Sequence, residues 1–132
     1  MERVAVPASA EIQDGIVDIL WTGVFERGDV KKSLENVGKF LASEKRISIL
    51  IRNQVRVLHF DAGDAREVAT QLAILQQKGV ERTCMLVDKP VHYGIGRMIH
   101  AFCEMAGVEF GIFWDEESAF MWLRNGGAQI GQ

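Results

Sequence analysis

The sequence has no apolar run long enough to cross a bilayer and no excess of positive charge. A transmembrane helix needs about 18 or more consecutive apolar residues, and the 132-residue chain contains no such run. We therefore expect no stable membrane insertion. The formal net charge is −3. Since no global basic field would attract phosphates, the composition also excludes nucleic acid as an expected partner.

Cysteine is scarce as well, with only two residues in the chain. Cys84 lies in the apolar run TCMLV and Cys103 lies on a predicted helix. The N-terminal residues MERVAVPASAE lack the long apolar core of a signal peptide. We therefore predict two reduced, buried thiols in a cytoplasmic protein rather than a disulfide framework.

Familiar catalytic and metal-binding motifs are also missing. The patterns HExxH, CxxC and Gly-x-Ser-x-Gly do not occur. The three histidines, His59, His92 and His100, are not spaced with carboxylates as a metal site requires. The sequence thus predicts no enzyme, no metal and no cofactor, and an active site of an unrecognised type is the alternative.

Alternation and turn signals predict an α/β chain that begins with two strands. Residues 2–7 and 16–25 alternate well enough to be strands, and Asp14-Gly15 is a turn signal between them, so the two can pair antiparallel. The back half repeats a strand and a helix twice, which is typical of parallel strands with crossover helices. We predict one domain over residues 1–124 and a flexible tail at 125–132.

The middle of the chain predicts two helices around a buried strand, with one ambiguous stretch. Asp29 is the predicted N-cap of an amphipathic helix to about residue 42, and residues 47–51 form a β-branched run typical of an interior strand. Residues 52–63 fit either another strand or an extended loop. Asp64 is then the predicted N-cap of the next helix.

The last third predicts a helix, a strand and a final helix. The helix over residues 92–106 ends before Gly107, a strand covers residues 108–114, and Asp115 caps the last helix. The apolar residues predicted to face inward are Ile95, Met98, Ile99, Phe102 and Met105 on the first of these helices and Ala119, Phe120, Trp122 and Leu123 on the second.

Three features of residues 92–123 resemble the closing segment of SpoIIAA-like STAS domains, a family also likened to Sec14-type lipid-binding folds. They are a helix opened by Tyr93-Gly94 with Arg97 following, the Phe113-x-Asp115 strand exit, and Ala119-x-x-Trp122-Leu123. The order of elements is similar over nearly the whole chain. The resemblance implies an α/β single domain with a four- to five-stranded mixed β-sheet packed with about four helices.

The same resemblance implies a non-catalytic binding module. Better-known STAS relatives are switches controlled by phosphorylation of a Ser or Thr at the start of a helix after a central strand. The matching residues here are 60–64, which include Asp61, Gly63 and Asp64 and contain no hydroxyl. We therefore expect no phosphorylation switch at this point. Asp61 and Asp64 either supply a fixed negative charge or, more simply for Asp64, cap the helix.

Candidate binding residues cluster on the helix that begins near residue 92. Its polar face carries Tyr93, Arg97, His100 and Glu104. Arg97 and His100 would recognise an acidic partner or head group; a solvated face is the alternative. Gly94 and Gly96 permit backbone N–H groups to approach an anion at the helix N-terminus, and tight helix–sheet packing is the alternative.

The chain also has many large apolar side chains for its length. Trp114 and Trp122 cannot both be assigned to the core, and any surplus would line a groove or a dimer interface. The leading hypothesis is a module that binds a protein partner or itself as a symmetric dimer, with the open sheet edge in the N-terminal strands. The alternative is a carrier of a small apolar or lipid-like ligand in a groove between helices and sheet.

Overall fold

The computed structural model describes residues 8–26, 28–42 and 46–126. In chain order its elements are β1 (Ala8–Gln13), β2 (Ile16–Phe25), α1 (Asp29–Glu35), α2 (Gly38–Leu41), β3 (Ile47–Leu58), α3 (Ala62–Lys78), β4 (Val80–Leu86), α4 (Pro90–Ala106), β5 (Phe110–Phe113) and α5 (Glu116–Asn125). None of the described helices is both long enough and apolar enough to cross a membrane.

The five strands form one mixed sheet in the order β1-β2-β3-β4-β5. β1 pairs antiparallel with β2, and the later strands pair in parallel. Asp14 and Gly15 join β1 to β2 with φ values of 54° and 76°, and a two-residue hairpin turn of this kind needs positive φ at both positions. The predicted α/β class with a four- to five-stranded mixed sheet is confirmed, and the sheet has five strands.

Two apolar layers cover the sheet, one on each face. Along β2, Val17, Ile19 and Trp21 join the larger core cluster with residues of α1, α3 and α4. Ile16 points to the other face, where its cluster includes Ala119 and other residues of α5. This alternation follows from the two-residue period of a strand. Helices α1, α3 and α4 thus lie on one face of the sheet and α5 lies on the other.

The ambiguous stretch after residue 51 is a strand, because β3 continues to Leu58 and has 12 residues. Asn53 and Val55 are buried along it, whereas Gln54 and Arg56 are exposed. β2 supplies pairing partners along this extension, as far as the pair of Phe25 with Leu58. Pairing with the parallel strand β2 therefore stabilises this segment as a strand, whereas the apolar pattern alone fitted either a strand or a loop.

The predicted start of α3 is wrong by three residues. Asp61 is the N-cap, and its Oδ1 accepts a hydrogen bond of 3.0 Å from the Asp64 N–H. Asp64 occupies the third helical position and accepts one of 3.0 Å from the Asp61 N–H. Because a capping box needs the outer cap residue to be extended, the reciprocal pair fixes the start one turn earlier. The predicted buried stripe of α3 is confirmed: Ala65, Val68, Ala69, Leu72 and Leu75.

The first predicted helix is also different in the structure. Asp29 lies inside α1, whose N-cap is Gly28 with φ 98°, and its Oδ2 accepts a hydrogen bond of 2.8 Å from the Glu26 N–H. The helical path stops at Glu35 and resumes as the single turn α2 at Gly38. Between the two helices the N–H groups of Val37, Lys39 and Phe40 bond to carbonyls three residues earlier instead of four, the tighter 3₁₀ pattern that interrupts an α-helix.

The C-terminal helices differ from the predictions in detail. Met105 is 82% exposed rather than buried, because Cys103 occupies the sheet-facing position of that turn. Asp115 caps α5 as predicted, by accepting from the Ser118 N–H at 2.9 Å. α5 extends to Asn125, the first residue of the predicted tail. The predicted strand at 2–7 and the tail from residue 127 lie outside the described residues.

Both cysteines are free and buried, as predicted. Burial raises the pKa of the Cys103 thiol to about 12. Burial is also the main cause that raises the pKa of the Cys84 thiol far above its ordinary value. Neither side chain therefore supplies a reactive thiolate near neutral pH.

Candidate functional site

Three of the predicted site residues meet in one exposed cluster, which we call the Trp114 surface. The rings of Trp114 and Tyr93 are stacked, with 5.2 Å between centroids and 20° between planes. The Arg97 guanidinium lies 5.9 Å from the centroid of the Tyr93 ring. Trp114 is nevertheless 52% exposed. The structure thus holds a large aromatic group in a fixed position in contact with solvent.

The packing of α4 against β5 brings these side chains together. Tyr93 lies in the first turn of α4, and Trp114 directly follows β5. Gly96 is the contact that permits close approach, since a Cβ built there would lie 3.2 Å from carbons of the Ile112 side chain. Gly94, in contrast, has open space around it. These positions favour the packing role for Gly96, and an anion site at the two glycines stays a prediction.

His100 does not belong to the stacked cluster. It lies seven residues beyond Tyr93 on α4, which is about 10 Å along a helix axis, and its side chain is half-buried. The predicted polar face therefore divides into a compact group at the start of α4 and a separate histidine two turns later. Only the former combines aromatic area with a charge.

The sequence interpretation missed the buried role of His92. Its side chain is 3% exposed, and its Nε2 lies 3.0 Å from the Val55 carbonyl oxygen. Because a carbonyl oxygen only accepts, Nε2 must carry the proton. Nδ1 lies 3.7 Å from Asp88 Oδ1. The Asp88–His92 spacing of four residues was the available signal, but nothing local indicated the distant partner on β3.

A buried polar group accompanies this histidine on β3. Asn53 is fully buried, and its Oδ1 accepts a hydrogen bond of 3.4 Å from the Val55 N–H. The pairing of β2 with β3 shifts register just beyond, between Gly23 and Val24. His92 therefore binds the start of α4 to the part of β3 where the sheet ladder is irregular. This contact holds Tyr93, the next residue, in place.

The residues that the STAS resemblance matches to a phosphorylated Ser or Thr, which we call the switch position, line a cavity of about 470 Å³. This cavity is separate from the Trp114 surface. Asp61, Gly63 and Asp64 contribute to its wall from the start of α3. Its apolar lining is Val30, Phe60 and Val68, and its charged lining includes Glu26, Lys31 and Glu67. The cavity lies where β2 and β3 end, a common position for ligand sites in parallel sheets. None of its lining residues belongs to the Trp114 surface.

An ion-pair network fixes the start of α5 on the other face of the sheet. Arg52 donates hydrogen bonds of 2.8 and 3.0 Å to the two carboxylate oxygens of Asp18 and also pairs with Glu116. Its hydrogen bond to Asp18 is the largest cause that raises the pKa of the guanidinium. Arg52 therefore carries a permanent charge that joins β2, β3 and α5.

Within residues 8–26, 28–42 and 46–126, no cluster of three or more metal-ligating side chains occurs.

Comparison with solved structures gives a match that covers most of the chain. One matching chain is an uncharacterized protein of the DUF3478 family from Shewanella loihica, which has a SpoIIAA-like fold. The likeness covers 93% of this chain and 98% of that chain, with a TM-score of 0.61 and 18% sequence identity. The chain has the SpoIIAA-like fold. No protein-family model matches the sequence, and no curated protein matches it.

The fold gives the positions of both groups of predicted site residues, but it does not show which group binds a ligand or partner. The residues at the switch position lie at the start of α3, after the central strand β3. The Trp114 surface lies toward the β5 edge of the sheet, between α4 and the end of that edge strand. The two groups therefore offer two independent places for a ligand or partner.

Proposed function

We propose that the chain is a non-catalytic interaction module that binds a protein partner through the Trp114 surface. The observation that carries this proposal is the half-exposed indole of Trp114 stacked on Tyr93. A ring that is already packed on one face loses little conformational freedom on binding. Trp, Tyr and Arg are also the residue types that contribute most often to binding hot spots.

The positive charge of Arg97 near the two rings indicates which chemical groups a partner should carry. Arg97 is exposed at one end of the cluster, next to Tyr93. A partner with an apolar side chain to cover Trp114 and a carboxylate to reach Arg97 would complement both features. The free thiols of Cys84 and Cys103 agree with a reducing compartment, so the proposal places this interaction in the cytoplasm.

We expect Trp114→Ala to weaken partner binding at least tenfold, which is about 1.4 kcal/mol of binding free energy. The partner is captured from the source cells on tagged protein, identified, purified and titrated by calorimetry against each variant. Tyr93→Ala is expected to weaken binding as well, since Trp114 then loses the ring that holds it. Arg97→Glu tests the charge of the partner, and its effect on the association rate should decrease at high salt.

Met121→Ala is the matched control for this experiment. Met121 is 55% exposed, close to the exposure of Trp114, but it lies on α5. Equal affinities for wild type and Trp114→Ala would contradict the proposal. So would a metabolite that the pure protein turns over and that Arg97→Ala no longer converts.

A second candidate function is supported by the cavity at the start of α3. We propose that it holds a small amphiphilic ligand, because its volume falls in the range of roughly 300–1,000 Å³ typical of ligand sites and its wall combines apolar and charged groups. Native mass spectrometry of freshly purified protein should then show a retained small molecule. Gln71→Trp, which places an indole in the cavity wall, should lower its occupancy.

Gln77→Trp is the control for the cavity experiment, because Gln77 is exposed on the same helix and does not line the cavity. Retention of a ligand by Gln77→Trp and its loss from Gln71→Trp would support the carrier function. Bare protein in every sample, together with no thermal stabilisation by a panel of lipids, would exclude it.

A further inference from the structure

We propose that β1 pairs edge to edge with β1 of a second copy of this chain, antiparallel about a two-fold axis at Ala10. The inference goes beyond the proposed function because it uses another surface and does not depend on the Trp114 surface. The product is a symmetric dimer in which one continuous sheet runs through both copies. Closed two-fold pairing is the commonest form of self-association.

β1 is the open edge of the sheet. It is the outermost strand, and among the described residues no strand lies on its outer side. Ser9, Ala10, Glu11 and Gln13 are all exposed. The opposite edge differs, because Phe110, Gly111 and Ile112 of β5 are buried.

The composition of β1 does not block pairing. Proteins protect an edge strand with lysine, proline or a bulge. The strand ASAEIQ has neither lysine nor proline, and it pairs with β2 through six consecutive positions without a register shift. Its outward N–H and C=O groups are therefore arranged regularly, as an added strand requires.

The side chains favour a two-fold axis at Ala10 over one at Glu11. Opposed residues of an antiparallel pair point to the same face of the sheet, so a two-fold axis that preserves the faces must pass through a residue. An axis at Glu11 would place two carboxylates opposite each other, which is destabilising. An axis at Ala10 instead places Ser9 opposite Glu11 of the second copy, twice. In that register the serine hydroxyl donates to the carboxylate, and the small Ala10 side chains meet on the axis.

Space on the sheet face beside the axis is also available. A cavity of about 230 Å³ adjoins Ser9 and Ala10, and its other walls include Ser33 and Asn36 of the α1 region. Among the described residues, the α1 region therefore leaves open space beside Ala10.

Disulfide cross-linking tests the register directly. Opposed antiparallel residues have Cα atoms about 4.5–5.5 Å apart, within the range that a disulfide bridges. Ala10→Cys is therefore expected to give mostly covalent dimer with oxidised glutathione as the oxidant. In Gln13→Cys the two thiols would lie six positions apart along the paired strands, about 20 Å, and no dimer is expected. The natural thiols of Cys84 and Cys103 are buried and do not interfere in the folded protein.

Charge at the axis gives a second, non-covalent test. Ala10→Lys and Ala10→Glu each place like charges together across the axis, so each variant alone should have the mass of one chain by sedimentation equilibrium. Their equimolar mixture should have the mass of two chains, because lysine then meets glutamate. A two-fold axis at or next to this residue predicts that result, and the cross-linking test then identifies the register. Circular dichroism and urea midpoints near those of the wild type show that both variants are folded.

Three results would overturn the inference. They are a wild-type protein that keeps the mass of one chain up to millimolar concentration, cross-linking of Ala10→Cys no greater than that of Gln13→Cys, and a dimer that Ala10→Lys leaves unchanged. Trp114→Ala should dimerise as the wild type does. A failure of the β1 pairing is thus distinguishable from a failure of the Trp114 surface, which is measured by partner affinity.

Discussion

Gly96→Leu is expected to lower the free energy of unfolding by about 1–3 kcal/mol, the usual cost of overpacking a core. A Cβ at this position already lies 3.2 Å from the Ile112 side chain, and the longer leucine has to displace either that strand or α4. Gly94→Ala, two residues earlier, is expected to raise the same free energy by about 0.5–1 kcal/mol. The alanine methyl meets open space there and improves helix propensity. Urea unfolding followed by circular dichroism measures both changes.

The Gly96→Leu and Gly94→Ala variants distinguish the two interpretations of these glycines, helix–sheet packing and anion binding. If Gly96 serves the contact with β5, then Ile112→Ala should recover part of the stability that Gly96→Leu loses, because the two side chains share one space. If the glycines instead serve an anion, phosphate should stabilise the wild type and should not stabilise Gly94→Ala. A Gly96→Leu variant with the wild-type urea midpoint would show that the packing interpretation is wrong.

Features with a local physical cause could be predicted from the sequence. The Asp14-Gly15 turn depends on two adjacent residues that tolerate positive φ, and both adopt it. Asp115 caps α5 through a contact only three residues away. The buried stripe of α3 follows from helical spacing alone. The resemblance of residues 92–123 to SpoIIAA-like STAS domains indicated the fold, which the structural match then confirmed.

Features that depend on distant partners could not be predicted in the same way. β3 extends beyond residue 51 because β2 lies beside it and supplies hydrogen-bonding partners. Trp114 and Tyr93 were both candidate residues, but their stacking results from the packing of α4 on β5. The Ser9–Glu11 pairing proposed for the dimer needs the position of β1 at the sheet edge, which sequence alternation alone does not give.

The switch position shows how local structure limits a functional analogy. The sequence resemblance to STAS domains predicts that Asp61 and Asp64 occupy the neighbourhood of a phosphorylated hydroxyl. In the structure each carboxylate accepts a hydrogen bond from the backbone N–H of the other residue. These negative charges stabilise the start of α3, where the helix dipole favours them. The analogous charge in this chain is thus present permanently and serves the helix. The nearby cavity is the feature of this region that we expect to bind a ligand.

His92→Ala is expected to lower the free energy of unfolding by about 3 kcal/mol, combining a lost buried hydrogen bond with a cavity under α4. The imidazole is 3% exposed and its Nε2 donates to the Val55 carbonyl at 3.0 Å. Its removal leaves that carbonyl without this donor inside the core, next to the irregular part of the sheet. Because His92 precedes Tyr93, the start of α4 should loosen and the Trp114 fluorescence should change before global unfolding.

Two further variants show whether this cost comes from the hydrogen bond. His92→Gln keeps an N–H near the position of Nε2, and it should recover about 1 kcal/mol relative to His92→Ala. His100→Ala removes a half-buried imidazole from the same helix. We expect a change of less than about 1 kcal/mol, because in the described part of the chain His100 makes no hydrogen bond to a buried carbonyl. Equal urea midpoints for the variants at positions 92 and 100 would mean that the contact with Val55 does not hold α4 on the sheet. The Trp114 surface would then be positioned by the apolar packing of α4 on the sheet, which includes the Gly96–Ile112 contact.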